Sequence, residues 1–233
     1  MPSAEALRLA FQQHRTMAVG LHGGRRSRAL SDAPRRDADG DSLVDLLGLD
    51  LLVGSGGVLS HSPRRVQAAL MMIDGLAPEG FTELAVDSIF MMPQLGVLST
   101  LHEEAAVQVF HADCLVRLGW CIAPRGVVRR DGRPCMTVEV RTVTTADRYD
   151  VRTGKMRRIP LDAGQKATVA VTPARGFDLG AGPGRVVSRE LTGGVVGLIL
   201  DGRGRPLRLA EDAAVRPSRL TEWNRALDVY PGA

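Results

Sequence analysis

The period of the apolar positions changes near residue 123. Before it, apolar residues come at helical spacing or in short runs. Leu7, Phe11 and Ala18 share one face of a helix predicted over 3–19, with Ser3 at its N-cap. Residues 20–42 hold Gly23, Gly24, Pro34, Gly40 and charges in short blocks, and read as a loop. The run 49–53 reads as a short buried strand that ends in the turn Gly54-Ser55-Gly56-Gly57. Beyond it a helix is predicted, with Ser62 as N-cap, Pro63 at its first position, Val66, Leu70 and Ile73 on its buried face and Gly75 at its end. A second strand is expected at 82–87, and Pro93 interrupts the chain beyond that strand. Thr100 and Glu103 have capping-box spacing for a helix running to about His111.

After residue 123 strict alternation takes over. Met136, Val138 and Val140 alternate with Thr137, Glu139 and Arg141, and Ala167, Val169 and Val171 repeat the pattern, which is that of half-buried strands. Residues 195–200 form a continuous apolar run, expected for a strand covered on both faces. Asp131-Gly132 and Asp201-Gly202 have the composition of hairpin turns. Leu220, Trp223, Leu227 and Tyr230 fall at helical spacing and predict a closing helix. The fold class is therefore α/β strand–helix alternation followed by a mostly β barrel or sandwich. The corresponding domains are 1–122 and 123–233, the second ending in the closing helix.

Composition narrows the function. With 233 residues and 44% apolar positions, the chain is long enough and apolar enough to bury a core. No apolar run reaches the length of a membrane span, so no membrane association is expected. Cys114, Cys121 and Cys135 are too few for a disulfide framework and lack zinc-site spacing, which points to reduced thiols, a cytoplasmic location and no metal. The net charge of +4 does not argue for nucleic acid. Of the 30 basic residues only Lys155 and Lys166 are lysines, and the basic residues crowd into 117–158, whereas 41–104 is acidic apart from Arg64 and Arg65.

Candidate chemistry concentrates at glycines. A strand that ends in Gly54-Ser55-Gly56-Gly57 and feeds a helix lets a flat ligand approach the backbone, because no Cβ intervenes. The helix start beyond it offers N–H groups to an anion. The spacing is neither that of a phosphate loop nor that of a dinucleotide fingerprint. Asp178-Leu-Gly-Ala-Gly-Pro-Gly184 imitates a phosphate-binding hairpin but lacks a hydroxyl, so it reads as a structural loop. In Asp201-Gly-Arg-Gly-Arg-Pro206, Arg203 and Arg205 are expected on a charged hairpin tip, where they would contact a phosphate or a partner's carboxylate. Of the five histidines only His61 lies in a candidate site, and Asp50 and Asp87 are strand-associated acids expected to cap or orient neighbours. No set of nucleophile, base and metal ligands is visible, so no catalytic residue is assigned.

The string Gly54-Ser-Gly-Gly-Val-Leu-Ser-His-Ser-Pro-Arg-Arg65 resembles the glutamate mutase accessory family called MutL, or methylaspartate mutase accessory protein. This family is unrelated to the DNA-repair ATPase of the same name. The resemblance continues in Leu84–Gly96, Phe177–Gly184, Gly193–Leu207 and Trp223–Pro231, and so runs from about residue 43 to the end. It implies the C-terminal portion of an actin-like, sugar-kinase-like or chaperone-like ATPase, in which Gly54, Ser55, Gly56 and Gly57 face adenosine while Ser60 and Pro63 set the following helix. It further implies ATP or ADP as ligand, with no cobalamin bound directly, and a chaperone-like reactivating role beside an adenosylcobalamin-dependent mutase or aminomutase. The hairpins that bind phosphate in that superfamily are absent from this sequence. Nucleotide binding is therefore expected to be weak, and ATPase activity is expected only if an upstream half supplies them. The alternative is a β-rich, nucleotide-independent interaction module.

Overall fold

Among the described residues nine strands build two sheets, and helices cover the free face of the first. The computed structural model describes residues 2–21, 45–208 and 212–230. The elements in chain order are α1 (Pro2–Leu21), β1 (Leu51–Gly54), α2 (Gly57–Ser60), α3 (Arg65–Leu76), β2 (Gly80–Asp87), α4 (Met92–Ser99), α5 (Glu103–Val109), β3 (Leu115–Ala123), β4 (Pro134–Arg141), β5 (Ala146–Arg152), β6 (Met156–Ile159), β7 (Lys166–Pro173), β8 (Val187–Thr192), β9 (Gly197–Asp201) and α6 (Arg216–Ala226). A π-helical turn, Phe110–Cys114, joins α5 to β3. Of the loop expected over 20–42, Gly20 and Leu21 belong to α1 instead, and 22–42 lie outside the described residues, as does the side chain of Ala18.

The first sheet has the order β1-β2-β3-β9-β6, with β1 parallel to β2, β3 antiparallel to β2, β9 parallel to β3 and β6 antiparallel to β9. The second is the antiparallel sheet β5-β4-β7-β8. One core lies between the sheets, where Phe81, Ile122, Leu198 and Leu200 meet Met136, Val138, Val169 and Val171. The other lies between the first sheet and the helices, where Leu84, Val86, Leu118 and Ile199 meet Leu70, Met72 and Ile73 of α3 and Trp223 of α6. β9 is thus sandwiched and all five of its residues are buried, as its unbroken apolar run requires. The β region is a sandwich layer and not a closed barrel. The second half also returns β6 and β9 to the first sheet, so the two sheets share the chain across residue 122.

Several local expectations are corrected. β1 is an edge strand with Leu51 exposed, not a buried one. Ser62 and Pro63 precede α3 instead of starting it. The N-cap is Arg64, the Gln67 side chain accepts from the Arg64 N–H, and the Ser62 hydroxyl donates to the Val58 carbonyl at 2.7 Å. Gly75 does not end α3, because Ala77 does so in the left-handed region with φ 47°. A Cβ on Gly75 would lie 2.7 Å from Leu7 Cβ, so its bare face lets α1 approach α3. Pro93 opens α4, where its missing N–H costs nothing. Thr100 ends α4, and His102 is the N-cap of α5. Neither Asp131-Gly132 nor Asp201-Gly202 closes a hairpin. The first links β3 to β4 across the two sheets, and the second follows the last strand.

Candidate functional site

The parallel pair β1 and β2 ends on one side of the first sheet, and the glycine turn lies there. Space outside the carboxyl ends of parallel strands is where α/β sheets receive ligands. Gly54 is buried at the end of β1, where a Cβ would come within 2.8 Å of Leu59 Cδ1 and 2.9 Å of Met72 Sδ. Its role is packing. Gly56 has φ +105°, a conformation that disfavours any side chain. A Cβ on Gly56 or Gly57 would meet no atom within 4 Å, so open space lies over both residues.

Asp87, the last residue of β2, is fully buried and fixes this turn. Its carboxylate accepts from the Ser55 hydroxyl at 3.2 Å and from the backbone N–H groups of Met91 at 3.1 Å and Met92 at 2.9 Å. Its carbonyl accepts from the Ser60 hydroxyl at 2.5 Å. Burial pushes the Asp87 carboxyl up, but the hydrogen bonds from Met92, Met91 and Ser55 outweigh it and hold the group below the usual carboxylate range. One side chain therefore ties the glycine turn to the start of α4. Asp50 is exposed at the other end of β1 and pairs with Arg189 at 3.5 Å, so the two acids do not converge. His61 is exposed with Nδ1 3.1 Å from the Gly57 carbonyl, and Pro63 is exposed in the α2–α3 connection. Val58, Ile89 and Phe90 expose apolar side chains on the segments that carry the turn, Phe90 at a left-handed φ of 59°.

Arg203 and Arg205 are corrected most. They are not on an exposed tip: Arg203 is 5% exposed and Arg205 2%. Arg203 grips Asp201 with two bonds of 2.9 Å, donates to Asp74 Oδ1 at 2.7 Å and lies 4.8 Å from the centroid of the Trp223 ring. Arg205 donates to Asp201 Oδ2 at 3.0 Å and to the Pro78 and Gly204 carbonyls at 2.9 Å. Burial pushes the Asp201 carboxyl up, yet the two guanidinium groups hold it far below its ordinary value. β9 runs opposite to β1 and β2, so this cluster sits at the far end of the sheet from the glycine turn. The guanidinium donors are spent inside the chain, where they fix the end of β9 against the α3–β2 connection.

The remaining motifs are structural. The Asp178 carboxylate accepts from its own loop, from Gly180 N–H at 2.8 Å and Gly182 N–H at 2.9 Å, as the structural-loop reading expects. All three cysteines are free and buried, and burial pushes the Cys121 and Cys135 thiols up to about 12. Among the described residues no three His, Cys, Asp or Glu side chains gather as metal ligands. Among them, too, no helix is long and apolar enough to cross a membrane.

The class this geometry defines is a three-layer α/β protein with a fixed glycine turn at the carboxyl ends of a parallel strand pair. Residues 3–114 match the family model described as MutL protein. Over this stretch, which carries α1, the glycine turn and Asp87 and is just under half of the chain, the chain is similar to the MutL family. No curated protein and no solved structure matches the chain. The family match starts well before residue 43 and stops before β3, so the glycine-rich segments at 177–184 and 193–207 lie outside it.

Proposed function

We propose that this chain is a reactivating-factor-like accessory protein of an adenosylcobalamin-dependent glutamate mutase or a related aminomutase, acting in the cytoplasm. In this reading the glycine turn is the adenosine half of a nucleotide site. The observation that carries the reading is the open space over Gly56 and Gly57, at the carboxyl ends of β1 and β2, inside the segment that matches the family. A flat base fits against backbone that no Cβ shields. Gly56 and Gly57 face the ligand, whereas Gly54, Ser55 and Ser60 hold the turn through Leu59, Met72 and Asp87, and Pro63 lies beyond it.

The fit covers the adenosine and not the phosphates. ATP would supply a phosphoanhydride, but no hydroxyl-bearing phosphate hairpin stands beside the turn among the described residues. The isolated chain therefore binds ATP or ADP weakly and hydrolyses neither, and turnover requires a second half that brings those hairpins. Exposed Val58, Ile89 and Phe90 give such a half an apolar surface to cover.

Calorimetry with ATP tests this reading. Gly57→Val is the informative variant, because its side chain enters open space at a residue whose φ is not left-handed. Weak binding that Gly57→Val abolishes, in a variant of unchanged stability, supports the half-site. No heat with any nucleotide, even with the second half added, overturns it. A nucleotide-independent interaction module is the second reading, favoured by exposed Val97 and Leu101 around α4. Capture of the chain by mutase subunits irrespective of ATP would decide for it.

A further inference from the structure

A cavity of about 620 Å³ opens where β3 leaves the first sheet and β4 enters the second. Its walls include Arg129, Arg130 and Arg133, with Val127, Pro134 and Phe177 as apolar surface. It belongs to neither the glycine turn nor the family match, and it lies in the basic stretch 117–158. Pockets of a few hundred Å³ with an apolar wall and a few converging polar groups are the usual form of small-ligand sites.

The three arginines are uncompensated. None lies in an ion pair or donates a side-chain hydrogen bond to another described residue, and no Asp or Glu lines the cavity. The one acid within their loop, Asp131, is taken by Arg219 of α6. Three like charges on five consecutive residues repel one another, and a surface without function gains nothing from holding them together.

The loop that carries them is also fixed. Thr153, 3% exposed, receives the Arg133 N–H on its hydroxyl at 3.0 Å and donates that hydroxyl to the Arg130 carbonyl at 2.7 Å. Its backbone exchanges further bonds with Gly132 and Arg133, at 2.9 and 2.7 Å. The start of the loop is paired to Asp178 through Arg125 and to Arg205 through Gly126. A Cβ on Gly126 would lie 2.5 Å from Phe177 Cδ1, so the two loops that form the walls meet there in tight contact. The backbone of the basic loop is thus preorganised, which lowers the ordering cost of binding.

We infer that this cavity binds a phosphate-bearing small molecule. Arginine's planar fork suits phosphate oxygens. A single carboxylate would leave two of the three guanidinium groups uncompensated, whereas a diphosphate engages all three. Val127, Pro134 and Phe177 provide the surface for the organic body of the ligand. This site is independent of the adenosine half-site, because the loop follows β3 at the end of the sheet away from the glycine turn.

The test is calorimetry of the full chain with pyrophosphate, which has no adenosine to engage the glycine turn. The wild type binds, and binding weakens as salt is raised. Arg130→Ser/Arg133→Ser weakens it at least tenfold with an unchanged urea midpoint. The charge-matched control Arg141→Ser/Arg148→Ser, at exposed positions of the second sheet, leaves it unchanged, as does Gly57→Val. No heat with pyrophosphate overturns the inference, and so does equal loss in both double variants, which would reduce the effect to net charge. Loss in Gly57→Val would place the phosphate at the glycine turn instead. Equal affinity for a hexaglutamate peptide would replace phosphate recognition with general binding of acidic chains.

Discussion

The Asp87 carboxylate accepts the Ser55 hydroxyl at 3.2 Å, and through this bond the end of β2 holds the turn that leaves β1. The same carboxylate satisfies two N–H groups at the start of α4. Asp87→Ala would orphan both of them in a buried position. The expected loss is about 2–4 kcal/mol, and Asp87→Asn, which keeps the shape, loses about half as much. Urea denaturation with an unchanged slope checks this. The Ala variant should also lose nucleotide binding, because the turn is no longer fixed.

Asp201 joins two buried arginines, and removing it leaves both charges unpaired. Asp201→Ala is expected to cost about 3–5 kcal/mol, more than an exposed pair such as Arg141–Glu139, which is worth about 0–1 kcal/mol. Chemical denaturation of the two variants side by side measures the difference.

Acid sensitivity arises from the same group. The folded carboxyl is held well below its unfolded value of about 3.9, so its stabilisation is present above that value and is lost as pH falls below it. Asp87 acts in the same direction. Urea midpoints are expected to be level from pH 7 to about 5 and to fall steeply below about 4, a fall that Asp201→Asn makes shallower.

The buried thiols should be inert. With the Cys121 and Cys135 thiols pushed up to about 12, the thiolate fraction at pH 8 is on the order of 10⁻⁴. A hydrophilic thiol reagent should label neither in the folded chain and both in urea.

Gly75 sets the seat of α1 on α3. Gly75→Ala places a methyl against Leu7 and is expected to cost about 1–3 kcal/mol by overpacking. Limited proteolysis should cut within α1 faster than in the wild type.

β4, β7 and β9 were legible, because alternation in β4 and β7 and the apolar run of β9 report directly on how many faces are covered, whereas β3, β5, β6 and β8 carried no such pattern into the reading. The glycine turn was legible as a turn. Helix boundaries were not: Gly75, Pro93 and Thr100 look like punctuation, but tertiary contacts and a helix-opening proline give them other roles. The buried Asp201–Arg203–Arg205 cluster was hidden for a related reason. Charged residues beside glycines read as a solvated tip until the strand beside them is known to be covered on both faces. The clamp by Asp87 and the cavity of Arg129, Arg130 and Arg133 depend on contacts far apart in sequence, which spacing does not carry.

Whether adenosine sits on the glycine turn is read best by titrating the isotope-labelled chain with ADP and following its amides by NMR. Shifts are expected to centre on Gly56 and Gly57 and to extend to Met91 and Met92, which the Asp87 carboxylate joins to the turn. An ADP-induced response confined to residues 127–133, or none anywhere, would contradict an adenosine site at the turn.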